Sequence, residues 1–214
     1  MKDLQYDSIL FDFDGVLADT EPLHYQCWKK VLAGFGVDLP WDYYSRNCIG
    51  TSEHDTIRAY LGLAKPPLEF DQLWAEYPRK KELFRELMLR EVPLAGGAKE
   101  LLGELRDAGC RMGVVSSSNR REVEPALVTA GIREFFEAVV CGMEAARLKP
   151  APDPYLRAAE LLGSRRPLVV EDSAAGVASA QAAGFDYVRV TSVDVMAPMV
   201  RGRWKGARPR TCEG

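Results

Sequence analysis

Histidine is scarce in this chain, with two in 214 residues, and the five cysteines are scattered: Cys27, Cys48, Cys110, Cys141 and Cys212 form no Cys-x-x-Cys pair. The pattern argues against a disulfide frame or a zinc site and fits reduced thiols. With only His24 and His54 available, a histidine-rich transition-metal centre is not expected either. No run is long and apolar enough to span a bilayer, and Met1-Lys-Asp-Leu-Gln5 lacks a secretory apolar core, so a cytoplasmic protein is the default expectation. Positive charge is not in excess. The net charge of -3 offers no broad attraction for nucleic acid or an anionic membrane, and neither is expected as a partner. Internal repeats and low-complexity tracts are absent.

What is present is 47% hydrophobic and 28% charged sequence, enough for one globular core or a core carrying a small insertion. In Ser8-Ile-Leu-Phe-Asp-Phe-Asp-Gly-Val-Leu-Ala-Asp-Thr20 a short apolar run leads into Asp12 and Asp14 and then Gly15. The run reads as a strand buried on both faces, with the glycine allowing a sharp exit. Both acids then sit at the carboxyl end of a central strand, the edge where open parallel sheets bind ligands. Capping of a following helix would need one acid, not two.

From Thr20 to about Leu87 strands disappear and helical spacing dominates, with helices expected near 21–35, 42–47, 52–61 and 70–89. Ser52 and Asp71 read as start signals, Gly36 and Gly62 as stops, and Pro66-Pro67 as a break. Trp28, Phe35, Trp41, Tyr43, Tyr44 and Trp74 are read as bundle core, with ligand stacking the alternative. The expected organisation is an α/β core from 1–19 and 88–214, a doubly wound parallel sheet of Rossmann-like type, with 20–87 inserted as a small helical bundle.

After Pro93 strand and helix alternate. Helices are expected over 98–108, 121–130 and 154–162, the last with Asp153 as its N-cap, and strands over 111–115, 136–140, 167–170 and 187–190; Pro125 sits awkwardly in the second helix. Ser116-Ser-Ser-Asn119 puts hydroxyls at a strand end, although serine-rich turns are common. Arg147-Leu-Lys-Pro-Ala-Pro-Asp-Pro154 holds Lys149 on a stiff loop, with Asp153-Pro154 opening a helix. Pro167-Leu-Val-Val-Glu-Asp172 repeats the logic of the first strand and ends in Glu171 and Asp172. Carboxylates stacked at neighbouring strand ends repel unless a cation lies between them, and with so little histidine or cysteine it is a hard cation, magnesium first. The basic stretch Arg201 to Arg210 reads as a loose surface segment.

DFDGVLADT, the strand-end Ser116, KPAPDPY and VVEDSAAG occur in the order of the four motifs of the haloacid dehalogenase-like hydrolases, which this chain resembles. The resemblance implies that Asp12 is a nucleophile toward phosphorus and Asp14 the acid and base. Ser116 and Ser117 with Lys149 would hold the phosphoryl oxygens, and Asp12, Asp14 (through its carbonyl), Glu171 and Asp172 would surround Mg2+. True haloacid dehalogenases lack the second aspartate, so phosphoryl chemistry is implied, either hydrolysis or mutase transfer.

The chain is most similar to the β-phosphoglucomutase-like branch, whose helical cap carries a threonine, a histidine and a lysine where Thr20, His24 and Lys80 stand. One position departs: Glu53 replaces an arginine that grips the distal phosphate of a sugar bisphosphate. An anion there discourages a second phosphate and favours a phosphatase for a small phosphorylated sugar or polyol, with the mutase as alternative. Alternatively Glu53 faces solvent and Arg46 or Lys81 grips instead. His24 is either a helper of the acid-base residue or a helix-surface histidine. A receiver-type phosphoacceptor module also uses an aspartate, a hydroxyl, a lysine and magnesium, but such modules are shorter and lack the insertion. A monomer is expected.

Overall fold

The computed structural model describes residues 6–204; Met1 to Gln5, Cys212 and the tail after Trp204 lie outside the described residues. The chain divides into two compact units, Thr20–Glu91 and the remainder.

The larger unit is built on five parallel strands: β1 (Ser8–Phe11), β2 (Arg111–Ser116), β3 (Ala138–Cys141), β4 (Pro167–Glu171) and β5 (Asp186–Arg189), in the order β3-β2-β1-β4-β5. The first strand is central, and every residue of β1 is buried, as its unbroken apolar sequence requires. The chain moves outward from β1 through β2 to β3, then returns to the other side of β1 for β4 and β5. That reversal opens a crevice at the carboxyl ends of β1 and its neighbours.

In the helical unit, α1 (Glu21–Ala33), α2 (Trp41–Asn47), α3 (Glu53–Tyr60), α4 (Phe70–Ala75) and α5 (Tyr77–Arg90) enclose a core around Trp28, Leu32, Ile57, Tyr60 and Leu73. Ser52 caps α3 by accepting from the Asp55 amide at 3.2 Å. The single helix expected over 70–89 is two. Pro78 has no amide proton to continue a helix but fits a first turn, so α5 starts afresh at Tyr77. Glu69, not Asp71, precedes α4, its amide donating to Gln72 Oε1 at 2.8 Å. Not all the aromatics are core: Trp41 and Trp74 are exposed, Trp41 edge-on to Tyr25 and Trp74 stacked between His54 and Tyr77. The unit ends at Glu91 because α5 runs to Arg90.

The larger unit adds α6 (Ala98–Asp107), α7 (Arg120–Thr129), α8 (Asp153–Leu162), α9 (Ala174–Ala182) and α10 (Val193–Trp204). Pro125 lies inside α7, which denies the Arg121 carbonyl its helical donor. The strand expected over 136–140 starts at Ala138, after a single 3-10 turn. Helix α8 begins with Asp153 in its first turn after Pro152, one residue earlier than expected. The segment from Arg201 is not loose as far as Trp204: it closes α10, which buries Met196, Ala197 and Val200, and Arg201 pairs with Glu104 at 2.7 Å. Gly202 and Pro198 had hidden this helix. Cys27, Cys48, Cys110 and Cys141 are free and buried, and burial pushes the thiols of Cys110 and Cys141 up to about 12. No helix among the described residues is long and apolar enough to cross a membrane.

Candidate active site

The register of the sheet decides what meets at its carboxyl edge. Phe11, the last residue of β1, pairs with Val114 and with Val170, so Asp12 emerges level with the ends of β2 and β4. Its amide still donates to the Val170 carbonyl at 2.9 Å, which fixes the backbone of a carboxylate that is itself buried. The chain then turns at Gly15, whose φ of +74° suits glycine. A Cβ on Gly15 would collide with the Asp172 carboxylate. The glycine therefore lets the first and fourth motif strands bring their acids together.

Lys149 reaches this edge from the loop between β3 and α8. Its ammonium donates to Asp12 Oδ1 at 2.7 Å, Glu171 Oε1 at 2.6 Å and the Val115 carbonyl at 2.9 Å. Glu171 is fully buried and receives further donors: Tyr155 OH on Oε1 at 2.8 Å, and the Asp172 amide, the Ser173 amide and Ser173 Oγ on Oε2, each at 3.0 Å. A Cβ on Gly176 would overlap this carboxylate, so the small residues opening α9 make room for it. With both oxygens occupied, Glu171 holds Lys149 and the backbone that aims Asp172.

Asp14 Oδ2 accepts from Ser118 Oγ at 3.0 Å and from Ser116 Oγ at 3.5 Å, the outer limit of a hydrogen bond. Ser116 ends β2 and is buried, and its Oγ accepts from the Ser118 amide at 3.0 Å. Ser117 is exposed. The sequence reading passed over Ser118, Tyr155 and Ser173; a serine in a run of three and a tyrosine in a helix carry no signal until the fold aims them.

The electrostatics are those of crowded acids. Burial pushes the Asp12 carboxyl well above its usual range, against the pull of Lys149 and with the push of Glu171 and Asp14. Burial would raise Glu171 too, but Lys149, Tyr155 and the Ser173 amide hold it below its ordinary value. Asp172, raised by burial and then by the Glu171 charge, reaches about 6. Asp12, Glu171 and Asp172 each offer an oxygen within 4.8 Å of the others, an all-oxygen set with more negative charge than Lys149 balances. A hard divalent cation fits this donor chemistry.

The other residues singled out from the sequence lie in the helical unit. Thr20 is buried, and its carbonyl receives the His24 amide at the start of α1. Lys80 is 2% exposed, and its Nζ contacts His24 Nδ1 at 2.9 Å and Glu53 Oε1 at 2.8 Å. An ammonium has only protons to give, so His24 accepts at Nδ1 and carries its own proton on Nε2. Burial, then the Lys80 charge, pushes the imidazole well below its usual range and keeps it neutral. Its ring stacks on Phe84 at 4.2 Å, so His24 is not a free surface side chain. Arg46 pairs with Asp42 at 3.9 Å, exposed on both sides.

The family model of the haloacid dehalogenase-like hydrolases matches residues 9–190. The chain belongs to this family. It is 32% identical to the fructose-1-phosphate phosphatase YqaB of Escherichia coli, over 87% of this chain and 97% of that protein. It is also 32% identical to the β-phosphoglucomutase of Mycobacterium tuberculosis, over 84% of this chain and 78% of that one. Among solved structures, CbbY from Rhodobacter sphaeroides in complex with phosphate superposes with a TM-score of 0.65 at 31% identity, covering 85% of this chain and 84% of the other. The resemblance read from the four motifs thus holds along the length of the chain.

Proposed function

We propose that this hydrolase is a magnesium-dependent phosphatase that cleaves a small phosphorylated sugar or polyol through an aspartyl-phosphate on Asp12. The observation that carries the reading is the buried carboxylate of Asp12 held at 2.7 Å by Lys149, beside further acids whose charge calls for a cation. Asp12 attacks phosphorus in line, the ester P–O bond breaks, and Asp14 gives its proton to the departing oxygen. Asp14, now a carboxylate, takes a proton from water; the resulting hydroxide attacks the phosphoryl group and frees inorganic phosphate and Asp12. Ser116, Ser117 and Lys149 hold the phosphoryl oxygens, and Ser118 orients Asp14 through the bond it already makes. Magnesium would be held by Asp12, Asp172 and the Asp14 carbonyl, with Glu171 orienting that set, and when bound it neutralises phosphoryl charge.

In this reading residues 20–87 with the end of α5 are a cap, and Thr20, His24 and Lys80 are the residues of it to which the family resemblance gives a part in substrate recognition. Hydrolysis is favoured over mutase transfer because Glu53 places its carboxylate 2.8 Å from Lys80 and cancels the buried cation, leaving little attraction for a second phosphate. The mutase reading is supported by the 32% identity to a β-phosphoglucomutase. A cytoplasmic monomer completes the proposal, and buried, unpaired thiols fit a reducing compartment. Phosphate release from a panel of sugar and polyol monophosphates, with Asp12→Asn as control, tests it. Release in the panel that the control abolishes supports hydrolysis at Asp12; equal release by both proteins refutes it.

A further inference from the structure

All three protons of the Lys149 ammonium are taken in this structure, by Asp12 Oδ1, Glu171 Oε1 and the Val115 carbonyl. A lysine so engaged has no donor for a phosphoryl oxygen unless it gives one up. Asp12 needs its share of the cation while it acts, so the bond most naturally released is the one to Glu171. Yet Glu171 is fully buried, and a buried carboxylate oxygen stripped of its donor carries a heavy desolvation penalty.

Tyr155 removes that obstacle. It is the third residue of α8 and wholly buried, and its hydroxyl donates at 2.8 Å to the same Oε1 that receives Lys149. Its ring also lies under the ammonium, with Nζ 5.0 Å from the centroid. Burial and the Glu171 charge hold the phenol well above its ordinary range, so it remains a donor. We propose that Tyr155 is a positioning residue: its hydroxyl keeps Glu171 Oε1 satisfied while Lys149 turns from Glu171 to the phosphoryl group on Asp12. The inference rests on the phosphatase reading. It goes beyond it in giving a buried tyrosine a part in the transfer of a lysine between two anions.

Tyr155→Phe keeps the ring and removes only the donor. In the full-length protein with magnesium, we expect kcat to fall about tenfold with KM within about twofold, the split that marks an interaction made at the transition state. The affinity for beryllium trifluoride, a mimic of the aspartyl-phosphate, falls by a similar factor, and thermal unfolding reports whether the variant is folded. In a Glu171→Gln background, where no full charge holds Lys149, Tyr155→Phe should cost less than about twofold on mimic affinity; the two changes are then non-additive. Unchanged kcat and mimic affinity in a folded Tyr155→Phe protein, or additive losses in the double variant, would overturn the role of Tyr155 and leave the phosphatase reading intact. A native protein that neither hydrolyses any ester in the panel nor binds the mimic would overturn both.

Discussion

Lys149 Nζ donates to Asp12 Oδ1 across 2.7 Å, joining residues 137 positions apart in the chain. Both side chains are nearly or wholly out of water, so neither charge is tolerable without the other. Lys149→Met removes the cation and leaves Asp12, Glu171 and Asp172 to repel one another. Activity should fall at least about a hundredfold, and stability without magnesium by about 3–5 kcal/mol, the usual cost of breaking a buried pair. Steady-state kinetics and urea unfolding check the two parts separately.

Asp172 titrates near 6 in the folded chain, above the ordinary 3.8 of an aspartate. A raised carboxyl binds its proton more tightly folded than unfolded, so its contribution to stability is present below about pH 4 and is lost as pH rises through 6. Magnesium competes for the same oxygen. Magnesium affinity should therefore rise about tenfold between pH 5 and 7 from this group alone. Calorimetric titration at several pH values measures it, and Asp172→Asn should both weaken binding and flatten that dependence.

Gly15 and Gly176 keep space for the acids of the first and fourth motifs. Gly15→Ala strains a backbone at φ +74° and drives a methyl group into Asp172, and Gly176→Ala drives one into Glu171. Each should cost more than about 1 kcal/mol in stability. The sharper expectation is that Gly15→Ala weakens magnesium binding, whereas Gly176→Ala lowers kcat through displaced Glu171 and Lys149. Thermal shift with and without magnesium, alongside kinetics, separates them.

In the helical unit a buried cation leans on a half-exposed acid: Lys80 is out of water and Glu53 is its charged partner. Glu53→Ala leaves the ammonium with the His24 nitrogen and the rings of Trp28, Tyr77 and Phe84, each 5.7–5.8 Å away. A loss of about 2–4 kcal/mol is expected, with much of it absent when Lys80→Met is already in place. A double-mutant cycle in urea supplies the coupling energy.

The sheet was legible because β1 and β4 announce themselves as apolar runs ending in acids, and parallel pairing then aligns Asp12 with Glu171 and Asp172. The prolines say only that the loop of Lys149 is stiff; the lysine itself was legible through the resemblance of KPAPDPY to the third family motif. Helix α10 was not, since Pro198 and Gly202 argue locally against a helix that packing of Met196 and Val200 upholds. Trp41 and Trp74 misled for the opposite reason: large aromatics suggest core, yet stacking on a neighbouring ring lets them stay at the surface. The donors around Glu171 come from one helix and from the loops before α8 and α9, and no spacing in the sequence relates Tyr155 to Ser173.

The central claim, hydrolysis through Asp12, is tested most directly by phosphorus NMR of the protein with magnesium, fructose 1-phosphate, β-glucose 1-phosphate and a trace of glucose 1,6-bisphosphate. Free phosphate should accumulate from at least one ester and be absent with Asp12→Asn. Growth of a glucose 6-phosphate signal without free phosphate would contradict the account and make the protein a mutase.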